Sequence, residues 1–303
     1  MDKNKESNSQ HLSIFKIWYL AIRPKTLPAA AGPVIVGLSL ALGDGFFQFG
    51  PAFSALLAAL LLQIGSNLAN DVYDFKKGTD TKERVGPMRV TQAGLLSPKQ
   101  VMRGMIFVFA LSALVGLYLI FVGGWPILIV GICAIICAVA YTAGPYPLGY
   151  KGVADIFVFA FFGPAAVCGT YYLQSGNVNT LAWWASIPPG LLVTAILVVN
   201  NLRDIDTDRK AGKKTLAVRF GQGFAQGQYL MLVLVSYLIP LIMYVQGISS
   251  FSILLPWISL PLLIPRIKEI FTKKGVPLNA TLAGTAKLGL IFCILFAIGF
   301  LMG

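Results

Sequence analysis

The chain reads as an all-α, polytopic membrane protein, with about nine transmembrane helices in a bundle around a central cavity that opens to the cytoplasmic side. Three observations lead there. Of its 303 residues, 56% are hydrophobic and only 12% are charged, half the charged share of an average soluble domain (about 25%). Apolar runs long enough to cross a hydrocarbon core of about 30 Å recur along the whole length. The 24 Lys and Arg and 12 Asp and Glu are also spread unevenly, so that alternate loops are strongly basic or carry no base at all.

The elements follow in chain order. Residues 1–16, MDKNKESNSQHLSIFK, are polar and read as a tail, and 17–303 as a single transmembrane domain. No small-residue cleavage site precedes the apolar start at Leu27, so no removable leader is expected. Apolar runs predict spans at 27–43, 52–71, 102–122, 125–143, 153–174, 181–203, 226–246, 251–270 and 281–302. Several hold Gly or Pro (GPVIVG, FFGP, IPPG), which membrane helices accept because neighbouring helices re-pair the freed backbone groups.

Charge sets the orientation. The connections GDGFFQFG, VGGW, QSGNVNT and QGISS contain no Lys or Arg, and every basic residue lies in the N-terminal segment, in the other loops or in their flanks. The positive-inside rule then places the N-terminus in the cytoplasm and the C-terminus outside, which requires an odd number of spans and fits a cell (inner or plasma) membrane. The net charge of +12 is thus one-sided, a face for anionic headgroups or a polyanionic substrate. Nucleic acid is excluded as a partner, because the charges sit in short membrane-proximal loops. No feature calls for an obligatory protein partner.

The remaining chemistry is narrow. Cys133, Cys137, Cys168 and Cys293 lie inside apolar spans and read as packing residues, and the single histidine, His11, is in the tail. Two acidic clusters are left, SNLANDVYDFKKGTD (66–80) and NNLRDIDTD (200–208). Asn67, Asn70, Asp71 and Asp74 follow i, i+3, i+4, i+7, and Asn200, Asp204 and Asp208 follow i, i+4, i+8. Each set is one helix stripe. Asn67 and Asp71 match Asn200 and Asp204 at a constant offset, a faint internal repeat. At 1.5 Å per residue, Asp71 lies about 28 Å from Ala52 and Asp204 about 33 Å from Ala182, so both stripes sit at cytoplasmic helix ends.

Carboxylates stacked at this spacing repel unless a cation holds them. Mg²⁺ is the natural candidate, since it takes carboxylate oxygens and leaves positions for phosphate. Four carboxylates and a diphosphate carry about −7 against +4 from two Mg²⁺, so basic side chains must supply the balance. Lys76, Lys77, Lys82, Arg84 and Arg89 follow the first stripe, and Arg203, Arg209, Lys213 and Lys214 surround the second. A membrane-embedded site of this kind fits a lipid diphosphate. A cation or lipid transporter is the alternative from another class, but transporters place binding groups near the midplane, and here they lie at one face.

The segments NLANDVYDFKKGTD with VGPMR, and NNLRDIDTDRKAGKKTLA, resemble the two aspartate-rich motifs of the UbiA-type intramembrane prenyltransferases. IRPKTLPAAAGPVIVG (22–37) and YTAGPYPLGYKGVADIFVFAFFGP (141–164) are similar to signatures of the branch that prenylates 1,4-dihydroxy-2-naphthoate in menaquinone synthesis. The likeness spans about 20–300. The first cluster reads D-x2-D-x5-D, where many relatives have D-x2-D-x3-D, which leaves Asp80 without an assigned role.

The resemblance implies the following roles. Asp71, Asp74, Asp204 and Asp208 hold Mg²⁺ and serve as the catalytic carboxylates. Asn67, Asn70, Asn200 and Asn201 orient ligands, and Arg84, Arg89, Lys213 and Lys214 neutralise the leaving diphosphate. The allylic cation is attacked by an aromatic carbon, and a polyprenyl group replaces the ring carboxylate with loss of CO2, giving demethylmenaquinone. Another acceptor, of the 4-hydroxybenzoate type, stays open. Tyr141 is either a π-face shield for the cation or an interfacial tyrosine. Arg23 and Lys25 read as positive-inside anchors rather than acceptor ligands. Asp206, about 200° around the helix from Asp204, is expected to face away.

Overall fold

A computed structural model describes residues 12–80 and 84–303. The first part of the predicted tail, with His11, and Lys82 of the basic loop lie outside them. Every described element is helical, and eight helices are long and apolar enough to cross a membrane.

The chain opens with α1 (Ile14–Ile22), capped by the Ser13 hydroxyl, which accepts from the Lys16 N–H. The tail therefore gives way to helix at residue 14, three residues earlier than the predicted boundary. Arg23 then adopts the left-handed conformation (φ 56°, ψ 66°), and a 3₁₀ turn at Pro24–Thr26 leads into α2 (Leu27–Gly43). Next come α3 (Phe49–Lys76), α4 (Pro98–Ala140), α5 (Ala154–Ser175) and α6 (Thr180–Arg203). Short α7 (Ile205–Lys210) and α8 (Leu216–Phe220) precede α9 (Gln222–Val245), α10 (Phe251–Thr272) and α11 (Leu278–Leu301). The first nine residues of α10 are 3₁₀ rather than α.

Helix α4 is two helical segments joined at a kink. Its 43 residues would extend about 65 Å as a straight rod, roughly twice the bilayer core. Gly124, however, has φ 69° and ψ −156°, outside the helical region. That backbone is open to glycine at little cost, and Pro126 next to it has no N–H to pair. Both ends of α4 are tied to the same end of α3: Val90 and Thr91 donate to Asp71, and the Thr142 hydroxyl donates to Asn70 Oδ1 at 3.2 Å. The helix must double back at Gly124. This restores the two spans predicted at 102–122 and 125–143.

Two cores flank a central space. The larger joins α2, α5, α6, α9, α10 and α11 through buried Val36, Leu40, Tyr171, Leu192, Tyr229, Phe292 and Phe296. The smaller joins α1, α3 and α4 through Ala21, Leu68, Val72, Val90, Val101, Met105 and Phe109. Within the larger, α5 and α6 cross at Gly163 and Gly190, where a Cβ on Gly163 would lie 2.8 Å from the Ser186 carbonyl. Pro164 removes one backbone donor beside this crossing, and the turn at Phe161–Ala165 widens to a π-bulge. At the far end from the acidic stripes, the Asp44 carboxylate accepts from the Tyr171 hydroxyl and from Asn179 Nδ2, which ties α2 to α5 and α6.

Candidate active site

Between the two cores runs a cavity of about 690 Å³, walled by α2 to α6. Most of its length is apolar, lined by Ala55, Ala59, Gly116, Ile127, Ala134 and Phe162 among others. One end collects Asn70, Asp74, Arg84, Arg89, Asn200, Asn201, Arg203, Asp204, Asp208 and Lys213. Both predicted clusters therefore contribute to a single site, each from the C-terminal end of its helix.

The first stripe divides in two. On a helical wheel Asn70 and Asp74 form one edge and Asn67 and Asp71 the other, with Asp71 about 60° from Asp74. Asn70 and Asp74 line the cavity. Asp71 does not: it is fully buried, and its oxygens accept the backbone N–H groups of Val90 (3.2 Å) and Thr91 (3.1 Å). Asn67 donates from Nδ2 to the Ile22 carbonyl and the Thr26 hydroxyl, both at 2.9 Å. Asp71 and Asn67, expected as a metal ligand and a substrate ligand, thus lie behind the cavity wall in this structure and not on its lining. Both side chains are engaged in bracing the N-terminal segment and the 90–91 turn, because buried backbone donors need acceptors.

Asp74 is the centre of a charged network. It accepts from Arg89 Nη2 (3.0 Å) and from the Tyr150 hydroxyl (2.6 Å), with Lys213 Nζ at 4.0 Å. Asp80 is buried and pairs with Arg84 and with Arg89 Nε (3.3 Å). Its place is therefore to hold those two guanidinium groups at the cavity wall. Burial, with Arg89 alongside, draws the Arg84 guanidinium below its usual range. Burial and the Asp74 carboxylate raise the Tyr150 phenol, so it stays protonated and donates.

The second stripe sits at a break. α6 ends at Arg203, and Asp204 (φ −95°, ψ 8°) starts the turn into α7. The Asp208 N–H donates to the Asp204 carbonyl at 2.8 Å, so both carboxylates stay on the cavity side. Asp206 points outward and pairs with Arg209 at the surface, as the helical spacing predicts. Arg203 donates to Asp204 (2.9 and 2.6 Å), to Asn200 Oδ1 (2.6 Å) and to Asn279 Oδ1 (2.9 Å). Lys213 Nζ lies 3.3 Å from Asp208 and 4.0 Å from Asp74, a cation held between carboxylates of the two stripes. Burial lifts the Asp208 carboxyl to about 6 against the pull of Lys213, and Asp204 adds to the rise.

Other expectations are settled by position. Tyr141 lines the cavity, so the interfacial alternative does not apply. Lys214, expected beside the diphosphate, is exposed and borders a separate hollow that also meets Tyr150. Arg23, read as an anchor, instead lines the cavity, with Nη2 3.7 Å from Asp71 and without a hydrogen bond. Tyr150, Arg23 and Asn279 were missed as site residues. Tyr150 lay in plain view within the quoted GPYPLGYK, but nothing local links it to Asp74.

The donor set comprises hard oxygens: Asn70 and Asp74 from α3, Asn200 from α6, Asp204 at the break and Asp208 from α7. Among the described residues no three carboxylates close on one point. A divalent cation there would complete its shell with oxygens of a bound anion or water.

The chain matches the model of the UbiA prenyltransferase family over residues 30–274. It is 38% identical over 300 residues to "1,4-dihydroxy-2-naphthoate octaprenyltransferase" of Escherichia coli (strain K12), covering 96% of each chain. It is 30% identical over 288 residues to the protein of the same name from Bacillus subtilis (strain 168), covering 94% of this chain and 92% of that one. Among solved structures, a UbiA homolog from Archaeoglobus fulgidus bound to GPP and Mg²⁺ superposes with a TM-score of 0.64 at 17% identity, covering 95% of this chain and all of that one. An apo UbiA homolog from Aeropyrum pernix K1 gives 0.66 at 14% identity, covering 89% and 97%. At these identities the structural likeness speaks to the fold.

Proposed function

The chain belongs to the UbiA prenyltransferase family and is an integral membrane prenyltransferase; from that premise we propose that it transfers a polyprenyl group from its diphosphate to 1,4-dihydroxy-2-naphthoate. The observation that carries this reading is the cavity itself: a long apolar channel ending in two facing sets of carboxylate and amide oxygens ringed by Arg84, Arg89, Arg203 and Lys213. Its shape and polarity suit a ligand with an isoprenoid tail and a polyanionic head.

The donor chemistry fits magnesium, which Asp74 with Asn70 on one side and Asp204 and Asp208 with Asn200 on the other would hold together with oxygens of a bound anion or water. When bound, the ion would neutralise charge on the diphosphate oxygens. The chain's own groups do the rest. Arg84, Arg89 and Lys213 stabilise the leaving group as the allylic C–O bond breaks and its electron pair passes to the diphosphate. Asp80 and Asn279 keep the arginines aimed. Tyr141 presents a π-face to the allylic cation, and the apolar wall excludes water that would quench it.

The acceptor enters beside Arg23, whose buried guanidinium has hydrogen-bonding capacity left for a carboxylate. Attack by the ring carbon that bears the carboxylate forms the new C–C bond. The bond to that carboxylate then breaks, its electrons restore the aromatic ring, and CO2 leaves. The product is the quinol form of demethylmenaquinone. Positive-inside charge places this site at the cytoplasmic face, the N-terminus inside and the C-terminus outside, with 17–303 acting as one domain.

The test is incubation of the purified protein in lipid with a polyprenyl diphosphate, Mg²⁺ and either 1,4-dihydroxy-2-naphthoate or 4-hydroxybenzoate, with products identified by mass. A prenylated naphthalenediol lacking CO2 is expected. Product from 4-hydroxybenzoate alone, or full turnover in excess EDTA, would overturn the acceptor or the metal reading respectively.

A further inference from the structure

Beside the cavity lies a second hollow of about 400 Å³, bordered by Lys77, Lys151, Lys214, Gly144, Gly212 and Tyr150. Its three ammonium groups come from three separate loops, after α3, before α5 and after α7. Among the described residues that border it there is no carboxylate. Asp74 acts on Lys77 across the wall, but three lysines at one hollow with no carboxylate on its lining suit a multivalent anion.

Tyr150 is the shared wall, since it and Thr79 line both the hollow and the cavity. On the cavity side its hydroxyl reaches Asp74, and Lys213 stands 4.7 Å from the ring centroid. On the other side Lys77 Nζ lies 5.0 Å from the same ring and donates to the Gly144 carbonyl at 3.1 Å. The Tyr150 carbonyl accepts the Lys214 N–H at 2.8 Å, which fixes its backbone to the loop that carries Lys213 and Lys214. Two cations thus lie against one aromatic ring, Lys213 bordering the cavity and Lys77 the hollow.

We propose that this hollow is a second anion site that receives inorganic diphosphate after it is cleaved from the prenyl chain. The inference rests on the prenyl-transfer reading, because that reaction leaves two products of opposite character. The prenylated ring partitions into lipid, whereas the diphosphate has to reach water through the polar end. The hollow lies at that end, and lysines alone can bind a phosphate-type anion without a metal.

Metal independence separates the two sites. Inorganic diphosphate is titrated calorimetrically, in excess EDTA, into full-length protein held in phosphatidylcholine nanodiscs. Saturable binding is expected, and Lys151→Ala with Lys214→Ala should weaken it by about tenfold or more with an unchanged unfolding midpoint. No binding in EDTA, or binding indifferent to this double substitution, overturns the proposal. The same titration in phosphatidylglycerol nanodiscs distinguishes the source of phosphate: similar affinity supports a site for free diphosphate, and loss of binding marks a lipid-headgroup site and overturns it. Prenyl transfer with Mg²⁺ in the same discs separates this claim from its premise. Transfer without EDTA-resistant binding removes the second site alone, and absence of transfer with every acceptor removes the catalytic reading.

Discussion

The two acidic stripes look alike in sequence and behave differently in the fold. In the first, the helix runs on through Lys76, and one edge of the stripe is covered by the N-terminal segment and the 90–91 turn. Asp71 is thereby committed to backbone donors, and only Asn70 and Asp74 are left to the cavity. In the second, the helix breaks at Asp204, and Asp204 and Asp208 both line the cavity, paired there with the side chains of Arg203 and Lys213 and not with buried backbone donors. A motif that matches residue for residue at a constant offset need not assign equal roles. What packs against each edge decides whether a carboxylate is a ligand or a brace.

The largest effect should distinguish ligand from brace within one helix. Asp74→Ala and Asp204→Ala each remove an electrostatic stabiliser from a preorganised site, and kcat/KM per folded protein should fall by about 10²-fold or more. If both variants keep near-normal rates, the site does not lie between the stripes.

Asp71→Ala should instead act on stability. It strands the Val90 and Thr91 N–H groups and leaves Arg23 without its carboxylate, at about 1–3 kcal/mol for each buried donor lost. Asp71→Asn keeps an acceptor and should recover part of that. Denaturation in detergent measures both. A normally stable Asp71→Ala protein with a Mg²⁺-dependent rate defect would return Asp71 to the ligand set.

Tyr150→Phe preserves the ring between Lys77 and Lys213 but deletes the hydroxyl that reaches Asp74. Loss of one hydrogen bond to a charged group predicts about a tenfold slower transfer step, read by single-turnover kinetics. An unchanged rate would make Tyr150 a wall only.

Asp206→Ala should have the smallest effect, within about twofold of the parent rate, because its ion pair with Arg209 is at the surface. A loss as deep as that of Asp204→Ala would mean that α7 unwinds around the ligand.

Much of the fold was legible because it depends on local, periodic properties. Hydropathy set the number and order of crossings, and the break at VGGW was visible as two adjacent glycines before Trp125 and Pro126. Alternation of basic loops set the expected sidedness, and helical spacing already turned Asp206 outward. The sequence by itself therefore determined an all-helical membrane bundle with two acidic helix ends, since solvent transfer and helical periodicity act residue by residue. Only the tertiary structure decided which edge of the first stripe faces the cavity, that Arg23 lines the cavity, and that Lys214 does not. It alone brought Tyr150 to Asp74 and Asn279 to Arg203, pairs separated by 76 residues in each case. Such contacts follow from how distant helices pack, and side-chain identity along one helix carries no record of what will cover each of its faces.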